Sequence, residues 1–178
     1  MLKQIIIVDI ANFSGSKTVA VAQMEISTVA QTVIAGTLIF VAGQLLLKLV
    51  IDPVHQLKRT LAEISNTFVR YGHVIHNPDA ITPELRDEVY DKLRQLSGQL
   101  YGDMALIPWY EQTSFLFCLP RKDKVYEAAK NLIGAGNWMY GNSAKKFDHT
   151  VRNIQRACDN LGLYIAPGNR IPEELLNK

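Results

Sequence analysis

The longest apolar run of the chain extends from Ile26 to Leu47 and contains no charged residue. A helix of these 22 residues is about 33 Å long, and a bilayer core is roughly 30 Å thick. A surface helix of a soluble protein carries a polar stripe, whereas the polar side chains here are only serine, threonine and glutamine. The pattern predicts a transmembrane helix over residues 26–51, and a core helix of a soluble protein is the open alternative.

Basic residues flank this run unequally. Only Lys17 lies close on the N-terminal side, whereas Lys48, Lys58, Arg59 and Arg70 follow the run. Because basic residues favour the cytoplasmic side of a span, we expect an inner (cytoplasmic) membrane protein with its N-terminus outside and its C-terminal domain in the cytoplasm. We expect Lys48 to be an interface anchor, since its alkyl stem can follow the helix while its ammonium reaches the headgroups.

Apolar positions continue at helical spacing beyond the span. Asp52 and Pro53 are residue types that start helices, but the spacing of threes and fours does not reset there. We therefore expect one long helix, kinked near Pro53, that runs to about His76. The apolar positions with this spacing are Leu46, Val50, Val54, Leu57, Leu61, Ile64, Phe68 and Tyr71.

Three further apolar stripes predict helices in the rest of the chain. The first of these helices has Thr82 as its cap and Pro83 as its first residue. The second lies in "RKDKVYEAAKNLIGAGNWMYG". The third lies in "NSAKKFDHTVRNIQRACDNLG" and stops at Gly162. The segment between Pro108 and Pro120 predicts a short buried helix. No run alternates at a period of two for long enough to require a sheet.

The expected fold is therefore all-α, with one N-terminal transmembrane helix that continues into a cytosolic bundle of about four helices. The boundaries that we expect are a short N-terminal extension over 1–25, the transmembrane helix over 26–51, a helical cytosolic domain over 52–162 and a loosely held tail over 163–178.

Small residues recur on one face of the predicted span. Thr28, Thr32, Gly36 and Gly43 are separated by four, four and seven residues. Small side chains let two helix backbones approach closely in lipid, so this face is a candidate for packing between spans in a homo-oligomer. A lipid-facing helix with incidental glycines remains the alternative.

Charge is unevenly distributed, although the net charge of +2 disfavours a nucleic-acid partner. Residues 79–111 contain 3 basic and 7 acidic side chains, whereas residues 121–156 contain 8 basic and 3 acidic ones. These segments are either complementary faces of neighbouring helices with ordinary solvated faces, or the second one is a patch for an anionic partner. That partner would be inner-leaflet headgroups, or a nucleotide or nucleic acid. The patch consists of Arg121, Lys122, Lys124, Lys130, Lys145, Lys146, Arg152 and Arg156.

Candidate chemistry is sparse. The third glycine after Gly134 and Gly136 comes too late for a dinucleotide-binding loop, so these glycines indicate close helix packing. His73 and His76, with Asp79 beyond, do not supply three ligands of metal-site geometry.

The cysteines and the other nucleophilic residues do not indicate a catalytic site. Cys118 and Cys158 are expected to be buried, reduced thiols. Serine, histidine and aspartate residues are scattered without a catalytic motif. We therefore expect no enzyme activity, no catalytic residue, no metal and no cofactor.

Three segments carry a resemblance: "FVAGQLLLKLVIDPVHQLKRTLAEI", "IPWYE" and "AAKNLIGAGNWMY". Over roughly residues 29–140 the chain resembles a group of small uncharacterised bacterial single-span membrane proteins with a cytoplasmic helical domain. The resemblance implies this architecture and no activity.

Two functional classes remain. One is a membrane-anchored helical interaction or regulatory module, whose partners are the lipid bilayer and an unidentified cytosolic protein or anionic ligand. The other is an oligomeric membrane effector that perturbs the bilayer when a ligand or partner binds the basic helices. The oligomeric state of the full-length protein in detergent discriminates between them.

Overall fold

A computed structural model of the chain describes residues 28–76, 82–141, 146–165 and 170, and all regular structure in these ranges is helical. The all-α class is thereby confirmed. The helices are α1 over 28–46, a π-helical turn at Leu47–Ile51, α2 (Asp52–Arg70), α3 (Gly72–His76), α4 (Pro83–Ala105), α5 (Tyr110–Phe117), α6 (Lys122–Trp138) and α7 (Lys146–Leu161). The predicted extension over 1–25 and most of the predicted tail lie outside the described residues.

The chain divides into two compact units between Leu46 and Leu47. In the first unit, α1 exposes every one of its side chains, including Leu38, Ile39 and Phe40. One helical stretch within the described residues, Thr28–Arg70, is long and apolar enough to cross a membrane, and its most apolar window contains no buried residue.

The second unit, here called the helical unit, begins with the π-helical turn directly before Pro53. Proline has no N–H to donate to the carbonyl four residues earlier, and its ring crowds that carbonyl. A π turn is one of the local distortions by which a helix accommodates such a site. Helical backbone therefore continues through the Asp52-Pro53 pair, as the apolar spacing predicted.

The predicted end of this helix at about His76 is wrong. The helix ends at Arg70, and the N–H of Tyr71 caps it by donating to the Thr67 carbonyl at 2.9 Å. The short α3 follows, and this break lets Val74 and Ile75 enter the core, where both are buried.

The helices of the helical unit pack as neighbours in an antiparallel order. Near one end, the α2 residues Gln56 and Thr60 donate to Asp103 of α4, and further along Lys92 of α4 pairs with Glu63 of α2. The α4 hydroxyl of Ser97 donates to the Ala129 carbonyl of α6, and α6 packs in turn on α7. The core side chains that these helices bury include Val54, Leu57, Ile64, Val89, Leu93, Leu96, Leu100, Val125, Ala128, Leu132, Val151, Ile154 and Leu161.

Several local predictions are confirmed. Thr82 caps α4 by accepting from the Leu85 N–H, and Pro83 is its first residue. Gly162 has a φ of 68° at the end of α7, a left-handed conformation that glycine adopts without strain.

The short helix between Pro108 and Pro120 departs from its prediction. Helix α5 buries Tyr110, Thr113 and Ser114, but Phe115 is 89% exposed and Leu116 is 73% exposed. An eight-residue helix has room for only one buried face, so the apolar residues on its other face remain uncovered.

The prediction that both cysteines are buried is wrong for Cys118. Both thiols are free, and Cys158 is buried, but Cys118 is exposed at the end of α5. It lies in the loop that connects α5 to α6 rather than on a helix face that packs on the core.

Candidate functional site

The helical unit contains two surfaces that its core does not explain. One is a cavity of about 560 Å³ between the C-terminal half of α2, α3, α7 and the residues that follow α7. Most of its walls are apolar, through residues such as Phe68, Val151 and Ile154. A small set of polar side chains also lines it, namely Ser65, His73, Gln155 and Cys158. Its volume lies within the range of natural ligand pockets.

Two of these polar side chains come from the buried face of α7. Gln155 and Cys158 are each 2% exposed. Burial raises the pKa of the Cys158 thiol to about 12, so the neutral thiol predominates and its reactivity as a nucleophile is low. The cavity therefore presents apolar contacts and hydrogen-bonding groups rather than an activated nucleophile.

The second surface surrounds α5. Four large apolar side chains are exposed there: Leu106 by 58%, Trp109 by 78%, Phe115 by 89% and Leu116 by 73%. Arg121, Lys122 and Lys124 follow directly and are exposed at the start of α6. We call these seven residues the α5 surface. Isolated exposed apolar residues are ordinary, but a cluster with a charged rim indicates a contact surface.

Buried side chains and two hydrogen bonds anchor the segment that carries the α5 surface; together they are called its ordered base. Ile107, Tyr110 and Leu119 are buried beneath it. The Tyr110 hydroxyl donates to the Pro120 carbonyl at 2.7 Å, and the Thr113 hydroxyl donates to the Pro108 carbonyl at 2.9 Å. Burial raises the pKa of the Tyr110 phenol to about 12. These contacts tie α5 to the backbone at the prolines on both of its sides.

The backbone on both sides of α5 is left-handed at residues other than glycine. Trp109 has a φ of 45° and Cys118 a φ of 53°. Such conformations cost about 1–3 kcal/mol each and persist where the surrounding structure enforces them, often at functional sites. The turn at Trp109 places its indole in solvent while the next residue, Tyr110, is buried.

The α5 surface lies at the end of the helical unit where the chain enters it. Asp103, in the last turn of α4, accepts from Gln56 and Thr60 in the first turns of α2. The first turns of α6 lie beside the same part of α4, because the Tyr101 and Tyr126 rings are 5.4 Å apart. The loop and helix that join α4 to α6 therefore belong to this end.

The four residues of the predicted packing face lie on α1. Thr28, Thr32, Gly36 and Gly43 are all exposed, and a Cβ added at either glycine would meet nothing within 4 Å. Lys48, the predicted interface anchor, is exposed and pairs with Asp52 at 3.0 Å. The role of both predicted features stays a prediction.

The structure separates the eight basic residues of the predicted anionic-partner patch. Arg121, Lys122 and Lys124 are together at the start of α6, and Lys130 pairs with Glu127 two turns further on. Because α7 runs antiparallel to α6, its first residue, Lys146, belongs to the other end of the helical unit, as the stacking of Trp138 on His149 shows.

The remaining basic residues lie on α7 or fall outside the described part. Arg152 is half-buried, and its Nε has no hydrogen-bond partner within the described residues, whereas Arg156 is exposed and engaged in an interaction. Lys145 and the side chain of Lys146 lie outside the described residues. Among the patch residues whose side chains the structure describes, Arg121 and Lys122 line a surface depression together with the apolar Phe115.

The glycines and histidines take ordinary positions. A Cβ at Gly134 would come within 3.2 Å of Asn153 on α7, and one at Gly136 within 3.1 Å of Tyr90 on α4, so the packing interpretation of these glycines is confirmed. His73 lines the cavity, whereas the side chain of His76 and all of Asp79 lie outside the described residues. Within the described part of the chain, no three metal-binding side chains come together.

Comparisons with protein-family models, curated proteins and solved structures found no match to this chain.

Proposed function

We propose that the chain is a membrane-anchored helical interaction module without a catalytic role, in which α1 is the anchor and α2, α4, α6 and α7 form a cytoplasmic bundle. The observation that carries the proposal is α1 itself. Every side chain of this helix is exposed, and no charge interrupts it. An apolar surface of this length needs a cover, and a single helix satisfies its backbone hydrogen bonds within a bilayer.

The polar groups of α1 are compatible with lipid. The hydroxyls of Thr32 and Thr37 donate to the carbonyls of Thr28 and Val33, each at 2.9 Å. No hydroxyl of these two threonines therefore requires water. The cavity and the α5 surface support the interaction part of the proposal, since a domain that served only as an anchor would need neither.

Extraction of membranes with alkaline carbonate tests the anchor. The full-length protein is expected to stay in the membrane pellet. The double variant Ile34→Arg/Phe40→Arg is expected to be released, because each charge near the centre of a span costs about 2.5–3.5 kcal/mol. The matched control is Val69→Arg/Tyr164→Arg, which places the same two charges at positions that are each 82% exposed in the helical unit. Release of the wild-type protein would refute the proposal.

The second candidate function is an oligomeric membrane effector. The open space around Gly36 and Gly43 favours it, because a neighbouring helix can approach the backbone at both positions. In this alternative the basic residues of α6 and α7 receive the ligand or partner that triggers the effect on the bilayer. Crosslinking of variants at Gly36, described below, tests the helix contact on which it depends.

A further inference from the structure

We infer that the α5 surface is a second membrane contact, which inserts its apolar side chains among the headgroups of an anionic bilayer surface. The inference rests on the proposed function, since it places the helical unit at the membrane that α1 enters. It adds a second site, besides the anchor, at which the chain contacts the bilayer.

The composition of the surface fits a bilayer interface. Tryptophan is enriched at the level of the headgroups, where its ring has both an apolar body and a polar N–H. Phe115 and Leu116 supply apolar area for shallow insertion, as in helices that lie in the plane of an interface. The ordered base of the surface presents these groups without a cost in ordering the loop.

Charge complementarity indicates anionic lipid. Arg121 and Lys122 line one surface depression with Phe115, and Lys124 is exposed two residues further along α6. Lys58 and Arg59 are exposed on the first turns of α2 at the same end. The acidic side chains that line this depression are Glu111 and Asp123, and Arg121 pairs with Asp123 at 3.4 Å. Asp52 is exposed at the start of α2 and pairs with Lys48. The balance is positive, as the anionic inner leaflet requires.

Position within the fold gives the third argument. The α5 surface and the π-helical turn, with its exposed Leu47 and Leu49, belong to the same end of the helical unit. A bilayer that receives the chain at Leu47 is therefore within reach of α5. A protein partner or a second copy of the chain could also cover the apolar side chains. Of the three, only a bilayer also explains why this surface lies at the end of the helical unit that contains the π-helical turn.

The two tryptophans provide the test, because Trp109 and Trp138 are the only two in the chain. Trp138 ends α6, which is 17 residues long, so it lies about 25 Å from the first residue of that helix. The full-length protein and its Trp109→Phe variant are reconstituted into vesicles of phosphatidylcholine and phosphatidylglycerol whose acyl chains carry bromine near the headgroup. The difference between the two proteins gives the emission of Trp109.

The brominated lipid is expected to quench about half of the Trp109 emission, since the indole would lie at the headgroup boundary, and to leave the emission of Trp138 nearly unchanged. Vesicles without phosphatidylglycerol are expected to reduce the quenching of Trp109, because the basic border loses its counter-charge. Equal quenching in both kinds of vesicle would contradict the role of the basic residues.

Carbonate extraction of the same vesicles distinguishes a failure of the α1 anchor from a failure of the α5 membrane contact. If the protein is retained but Trp109 is no more quenched than Trp138, the α5 surface is not a membrane contact, while the anchor stands. Such a result would assign the surface to a protein partner or to a second copy. If carbonate releases the protein, the anchor itself is refuted, and this inference is refuted with it.

Discussion

Asp103 is a carboxylate that is only 4% exposed, and it joins α4 to α2. Its two oxygens accept from Gln56 at 2.7 Å and from the buried Thr60 hydroxyl at 2.5 Å. A buried carboxylate is tolerated when its oxygens are hydrogen-bonded in this way. No periodic pattern marks this residue, because it is a polar member of a helix whose partners lie more than 40 positions earlier.

Asp103→Ala is expected to destabilise the helical unit by about 1–3 kcal/mol, because it leaves the Thr60 hydroxyl without its acceptor. Asp91→Ala is the matched control, since Asp91 is an exposed carboxylate on the same helix. Its effect is expected to stay within about 0.5 kcal/mol. Thermal unfolding in detergent, followed by near-ultraviolet circular dichroism, gives the comparison. Equal midpoints for both variants would contradict the role of Asp103.

The two thiols are expected to behave differently. Burial raises the pKa of Cys158 from an ordinary value of 9.0 to about 12, so the unfolded chain releases this proton first. The stability that depends on Cys158 is therefore complete below about pH 9 and is lost as the pH rises towards 12. Labelling by a maleimide at pH 8 distinguishes the two thiols. The Cys118→Ser variant, which keeps the buried Cys158, is expected to be labelled slowly. The Cys158→Ser variant, which keeps the exposed Cys118, is expected to be labelled rapidly. Rapid labelling of native Cys118→Ser would show that Cys158 is accessible.

At the scale of elements, the long amphipathic helices could be predicted from sequence. The stripes of α4, α6 and α7 each repeat over at least four turns, and a cap or stop residue marks α4 and α7. The exposure of α5 could not be predicted in this way. Its apolar "FLF" reads as core, and an eight-residue helix shows too few turns to separate a buried face from a free one.

The cavity was also beyond local sequence patterns. Its polar groups come from Ser65 and His73 on one side and from Gln155 on the other, more than 80 residues away in the chain. Only the pairing of helices brings them together. The end of α2 was missed for a related reason, since the apolar spacing passes through Tyr71 without marking the break that buries Val74 and Ile75.

Self-association of α1 is the prediction that belongs to this scale. Gly36→Leu places a large side chain where the backbones of two spans would meet, and it is expected to remove most of the dimer trapped by crosslinking in membranes. Leu38→Phe enlarges a side chain on another face and is expected to leave crosslinking nearly unchanged. Wild-type levels of crosslinking for Gly36→Leu would refute this packing face and, with it, the support for the effector alternative.

At the scale of the whole molecule, the uneven charge has a structural setting. The acidic α4 packs on α6, the first helix of the basic segment 121–156, as the interpretation of complementary helices requires. Their closest described links are nevertheless the Ser97 hydrogen bond and the tyrosine pair, and no ion pair within the described residues joins the two helices. Within the described residues, the exposed basic side chains at the start of α6 are therefore not paired with the acidic side chains of α4.

The central claim is a single span whose helical unit lies in the cytoplasm. Orientation is measured with two reporters fused separately after Lys178, one a phosphatase that is active only outside the cytoplasm and the other a fluorescent protein that folds only inside it. The basic residues that follow the span predict a fluorescent fusion and an inactive phosphatase. An active phosphatase with a dark fluorescent fusion would contradict the orientation, and a fluorescent fusion found entirely in the soluble fraction would contradict the span.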